Sequence, residues 1–151
     1  MITCKRLTAA TEVIDNWFFF RDGFRQFANK HNEDVDLLNM LKITCTLASS
    51  ERDGFVAIVY NNEQPEGFGI MEDVSPIFSK ERTFLCRAFW HQSGNTTATV
   101  KLMDCFETWA LENNVTSYTV TTRRNTGAAI RCFQSEKYGF RRNHVMFVKT
   151  L

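Results

Sequence analysis

Two periods of apolar residues run along the chain, and where one gives way to the other an element ends. Thr83 to Trp90 is rich in β-branched and aromatic residues, the composition of a half-buried strand. His91 to Thr97 is polar, with Gly94 as a hinge. From Ala98 the apolar residues fall at Val100, Leu102, Met103, Phe106, Trp109 and Ala110, the spacing of one helical face. The rest of the chain is arranged around this strand, turn and helix.

Upstream, Ile2 to Leu7 alternates as a short strand. Ala10 to about Lys30 keeps a helical period through Val13, Ile14, Trp17, Phe18, Phe20, Phe24, Phe27 and Ala28. Thr8 or Thr11 caps it, and Gly23 weakens or bends it. His31 to Asp34 breaks it, and Val35 to Leu47 is a second helix, although Ile43 to Thr46 also suits an extended segment. After a loop over Ala48–Gly54, Phe55 to Tyr60 is a buried strand. Asn61 to Glu66 reverses the chain, and Gly67 to Glu72 returns as the second arm of a hairpin. Asp73 to Lys80, with Pro76, crosses to the central strand. Downstream, Glu112-Asn113-Asn114 stops the helix. Val115 to Thr122 is a strand, completing a βαβ unit expected to be parallel and right-handed. Thr126 to Lys137 is a last helix stopped by Gly139, and Phe140–Arg142 and His144–Leu151 form a final pair of strands. No repeat or linker interrupts the pattern, so residues 1–151 read as a single α+β domain.

Composition narrows the class. Apolar residues make up 44% and charged residues 23% of the 151, with 14 Phe, so the chain is a globular protein with an aromatic core. A net charge of +1 argues against a general grip on nucleic acid. No apolar run is long enough to span a membrane, and the first residues lack the apolar core of a secretory signal. Cys4, Cys45, Cys86, Cys105 and Cys132 are odd in number and contain no CxxC. They read as reduced thiols of a cytoplasmic protein, and with three scattered histidines they give no metal site.

Several residues carry candidate chemistry. A helix N-terminus with free N–H groups receives anions, so the Ser93–Thr97 turn and the helix after it can cradle a pyrophosphate; a capped helix without ligand is the plainer reading. Glu72, Asp73, Glu81 and His91 are candidate bases. Against them stand a solvated loop carboxylate at Glu81 and an exposed turn residue at His91. Arg123, Arg124, Arg141 and Arg142 form two basic pairs that suit a phosphate, an acidic partner or solvent. Four successive large apolar residues, Trp17 to Phe20, cannot all face inward on a helix. One of them is expected to meet a partner subunit, in a homodimer or with another protein, or an acceptor pocket.

The order of elements resembles the GNAT superfamily of acyl-CoA-dependent N-acetyltransferases over nearly the whole chain. The resemblance rests on ETWALENNV (Glu107–Val115), on Arg124-Asn125 followed by AAIRCFQSEKYGF (Ala128–Phe140), and on the hairpin FVAIVYNNEQPEGFGI. It implies a twisted mixed sheet of about six to seven strands, with helices on both faces and two central parallel strands splayed apart. Acetyl-CoA as co-substrate is then expected along Thr83–Trp90. The contacts would be Phe89, Trp90, His91, Gln92, Ser93, Gly94, Asn95, Thr96 and Thr97, with Asn125 as a further contact or as a helix cap. An amine acceptor, a small molecule or a protein, approaches from the side of the N-terminal helices and the hairpin. Some members carry a glutamate near the start of the strand, the place of Glu81. The tyrosine that commonly protonates the leaving thiolate falls at Ser135 or at Phe133, depending on the register, and Tyr138 is the nearby phenol.

The family's glycine-rich cradle, Q/R-x-x-G-x-G/A, is matched neither by His91-Gln92-Ser93-Gly94-Asn95-Thr96 nor by the register counted from Trp109-Ala110. Two functions follow. One is an N-acetyltransferase acting on a primary amine. The other is a catalytically degenerate interaction or structural protein of the kind found among bacteriophage and virion components. A small-molecule sensor is a third.

Overall fold

The computed structural model describes residues 1–92, 96–120 and Gly139. The chain divides into two compact units, Met1–Val120 and Thr121–Leu151. Within the first lie β1 (Ile2–Leu7), α1 (Ala10–Asp15), α2 (Trp17–His31), α3 (Leu37–Ser49), β2 (Gly54–Asn61), β3 (Gln64–Asp73), β4 (Thr83–His91), α4 (Thr96–Glu112) and β5 (Ser117–Thr119). These form one five-stranded mixed sheet in the order β1-β2-β3-β4-β5, antiparallel up to β4 and parallel between β4 and β5. The expected helix at Thr126–Lys137 and the two expected strands after it lie outside the described residues. Of the second unit only Gly139 is described, and its φ of 60° is in the left-handed region.

The sheet separates two cores, and β2 shows why. Its successive side chains point to opposite faces. Phe55, Ala57 and Val59 pack against Ala98, Leu102, Phe106 and Trp109 of α4. Val56 and Ile58 pack with Val13, Phe20, Phe24, Leu47 and Ala48 of α1 to α3. Both faces of β2 are covered, which explains its unbroken apolar run.

Four local expectations are corrected. The single helix expected from Ala10 to Lys30 is two, broken at Asn16 rather than at Gly23. Asn16 ends α1, its Nδ2 donating to the Glu12 carbonyl at 2.8 Å, and its own carbonyl accepts from Phe19 N at 3.0 Å in the first turn of α2. Gly23 lies inside α2 for packing: a Cβ there would stand 2.5 Å from Phe68 Cε1 and 2.9 Å from Trp90 Cε3. Neither threonine caps α1; instead Glu12 reaches back to accept from Thr8 N at 2.7 Å, just before the helix. The hairpin turn is only Asn62-Glu63, both with positive φ (47° and 70°), so β3 begins at Gln64. The Trp17–Phe20 run divides as helical geometry requires. Phe20 is fully buried, Trp17 and Phe19 pack at the margin of the core, and Phe18 is 72% exposed under the Arg21 guanidinium.

Candidate functional site

The site is built on β4. Its parallel pairing with β5 covers only Thr83–Ser117, Phe84–Tyr118 and Leu85–Thr119. Past Leu85 no described residue pairs with β4 on that side, so its backbone from Cys86 to His91 forms an open edge among the described residues. On the other side β3 pairs along the whole strand, but with a shift: Met71 faces Cys86 and Ile70 faces Ala88. Arg87 is therefore one residue too many on β4, a β-bulge. It inverts the side-chain alternation. Phe84 and Cys86 join the α4 core, whereas Ala88 and Trp90 join the α1–α3 core. The bulge was hidden in the sequence, because Phe84, Cys86, Ala88 and Trp90 alternate without interruption.

Phe89 packs into the α4 core and Trp90 packs against Phe19 and Phe68, with ring centroids 5.4 and 5.6 Å apart. Their side chains are committed to the two cores, and they meet the open edge only through their backbone. His91 ends the strand opposite Gly67, where a Cβ would lie 2.8 Å from the Trp90 carbonyl and 3.2 Å from His91 Cβ. The glycine lets the two strands keep a close approach beside the imidazole. His91 Nδ1 is buried and has no hydrogen-bond partner among the described residues. Burial, then the nearby Lys30 ammonium, pushes its pKa below 6.5, against the opposing pull of Glu66. A neutral imidazole with one lone pair to offer is a proton acceptor near pH 7. The ladder continues one step further, with Gln92 N donating to the Glu66 carbonyl at 2.8 Å.

Glu66 is the site residue that sequence reasoning missed. The sequence assigns it to the reversing loop, and only the two-residue turn carries it onto β3 beside His91. The other acids are spent elsewhere. Glu72 pairs with Arg87, and Asp73 is held by Ser75 and Arg82. Glu81 is exposed, its amide donating to Ser79 Oγ at 3.0 Å. It precedes β4 at the end opposite His91, and ten strand-like steps separate the two by about 30 Å. Glu81 and His91 therefore cannot act on one reacting atom. Thr96 and Thr97 open α4. Ser93, Gly94, Asn95, Asn125, Ser135 and Tyr138 lie outside the described residues. Among the described residues no group of three or more His, Cys, Asp or Glu is arranged to hold a metal ion, and no helix is long and apolar enough to cross a membrane.

No protein-family model matches the chain, and no curated protein matches it. Solved structures do. An aminoglycoside acetyltransferase, meta-AAC0020 from an uncultured soil metagenomic sample, in complex with sisomicin, matches with a TM-score of 0.73 and 15% identity, over 99% of this chain and 96% of that one. AAC(6')-Iy in complex with a CoA-S-monomethyl-acetylneamine bisubstrate analogue matches with a TM-score of 0.73 and 11% identity, over 100% and 99%. A GNAT family acetyltransferase from Staphylococcus aureus subsp. aureus USA300_TCH1516 matches with a TM-score of 0.67 and 12% identity, over 99% and 98%. This likeness along nearly the full chain leads to one conclusion: the protein has the GNAT acetyltransferase fold.

Proposed function

We propose that the chain is an N-acetyltransferase that moves an acetyl group from acetyl-CoA to a primary amine, with residues 1–151 acting as one domain. The observation that carries this reading is the edge of β4 beyond Leu85, which no described residue pairs. An amide-bearing, extended arm such as that of CoA pairs with an open strand edge as another strand does. Donors held at such an edge suit the thioester oxygen on which negative charge develops. The open edge and the first turn of α4 fit the co-substrate, which supplies the activated acetyl group. The protein's own part is to hold that chain in line and to receive a proton. His91 is neutral, lies at the end of the edge and accepts the proton of the attacking amine. The acetylated bisubstrate analogue bound by AAC(6')-Iy supports both halves of the reading.

A second reading, a GNAT-fold binding protein without catalysis, is favoured by the polar His91–Thr96 sequence in place of a glycine-rich cradle. Calorimetric titration of the full chain with acetyl-CoA, followed by acetylation assays on aminoglycosides and peptide amines, separates the two. Micromolar binding with turnover that falls at least tenfold in His91→Gln supports the transferase. Binding without turnover on any amine, or no heat at millimolar acetyl-CoA, overturns the transferase and supports the second reading.

A further inference from the structure

We infer that Cys4 and Cys105 form a thiol–disulfide exchange site, a covalent modification site that joins β1 to α4. Cys4 lies on the edge strand β1 and Cys105 lies on α4, 101 residues later in the chain. Both line one open cavity of about 300 Å³, together with Arg6, Lys101, Asp104 and Glu112. Both are half-buried and carry free thiols. The Arg6 guanidinium is fixed 4.9 Å from the Trp109 ring centroid, which holds its charge at the cavity wall.

The two thiols are not equivalent. The neighbouring Cys105 thiol and burial push the pKa of Cys4 up, whereas the Cys4 thiol, Lys101 and Arg6 bring that of Cys105 down against the effect of burial. Thiolate character decides which cysteine attacks a disulfide. Burial raises the pKa of Cys45, and it pushes that of Cys86 up to about 12. Their thiols point at the Ala10 and Ala88 carbonyls. Among the described cysteines, Cys4 and Cys105 alone line that cavity, and of the two it is Cys105 whose pKa is lowered.

The chemistry balances with a small disulfide as oxidant, here of the glutathione type. The Cys105 thiolate attacks one sulfur, the S–S bond breaks, and one thiolate leaves with a proton from solvent. Cys4, losing its proton to solvent, then attacks Cys105 Sγ. The mixed disulfide breaks, the second thiolate departs and is protonated, and a Cys4–Cys105 bond remains. Two electrons pass from the protein to the disulfide, which becomes two thiols. This chemistry is independent of acetyl transfer.

The test is to incubate the full-length protein with glutathione disulfide near neutral pH, quench with an alkylating reagent and map the cysteines by peptide mass spectrometry. The expected product links Cys4 to Cys105 without retained glutathione at either residue, and leaves Cys45 and Cys86 alkylated. Cys4→Ser is expected to retain one glutathione on Cys105. Cys105→Ser is expected to slow capture at Cys4 by at least about tenfold. A wild-type protein that gives no Cys4–Cys105 link, or that reacts at Cys45 or Cys86 before Cys105, overturns the inference. The wild-type map decides the matter even where a variant fails to fold.

Discussion

Arg82 Nη1 donates to the backbone carbonyl of Asn113 at 2.6 Å, tying the start of β4 to the end of α4. The same side chain, 16% exposed, reaches the Asp73 carboxylate from Nε at 3.4 Å, and its Nη2 donates to the Arg52 carbonyl. Its own carbonyl accepts from Thr116 N at 2.9 Å, just before β5. One arginine thus fastens four segments at the end of the sheet where β4 and β5 still pair. Arg82→Ala is expected to cost about 1–2 kcal/mol, because it leaves half-buried acceptors without a donor. Arg82→Lys is expected to recover little of this, since a single ammonium lacks the planar fork. Urea unfolding of the three proteins measures both effects.

The carboxylate in that cluster sets an acid limit. Burial alone would raise the pKa of Asp73, but the hydroxyl and amide of Ser75 and the Arg82 guanidinium outweigh it and bring the pKa below 3.8. A folded pKa below the unfolded one contributes stability that is present above the unfolded value and is lost as pH falls through the folded value. Denaturation midpoints taken downward from pH 5 are expected to fall less steeply for Asp73→Asn than for the wild type.

His91 behaves in the opposite chemical sense. Its folded pKa lies below 6.5, so between the two values the unfolded chain binds the proton and the folded chain does not. The stability held by the neutral imidazole is present above 6.5 and is lost as pH falls from 6.5 through the folded pKa. NMR titration of the imidazole is expected to give a midpoint below 6.5. Lys30→Ala is expected to raise it and Glu66→Gln to lower it further. Acetyl transfer is expected to fall with the same midpoint on the acid side.

Gly23→Ala separates propensity from packing. Alanine gains about 1 kcal/mol over glycine inside a helix. Here its methyl would stand 2.5 Å from the ring of Phe68, which is fully buried among Phe19, Phe20, Phe24 and Trp90 and has nowhere to turn. Overpacking costs about 1–3 kcal/mol, so the variant is expected to be less stable than the wild type, by thermal or urea unfolding. A stabilised Gly23→Ala would show that α2 is free to move off the sheet.

These residues also show how much the sequence discloses. Period and composition located the described strands and helices of the first unit to within a few residues, except that α1 and α2 read as one helix, because burial on a sheet face or a helix face leaves a repeating mark. Nothing periodic marks Asn16 as a break, since its role is a hydrogen bond to one carbonyl. Gly23 reads as a weakness until Phe68, 45 residues away, is placed against it. Glu66 was lost for a similar reason: the length of the turn decides whether it is loop or strand. His91 was visible through its own chemistry, while its burial and its neighbour Lys30 are products of the fold.

The extra residue at Arg87 has an evolutionary consequence. Cys86 and Ala88 are two positions apart on one strand, yet they answer to different neighbours, Cys86 to α4 and Ala88 to α1–α3. Substitutions at Phe84, Cys86 and Phe89 must suit α4, and those at Ala88 and Trp90 must suit the other three helices. A deletion at Arg87 would force one half of the strand to exchange its two faces in a single step. One arginine thus sets which neighbours every later position on the strand must satisfy.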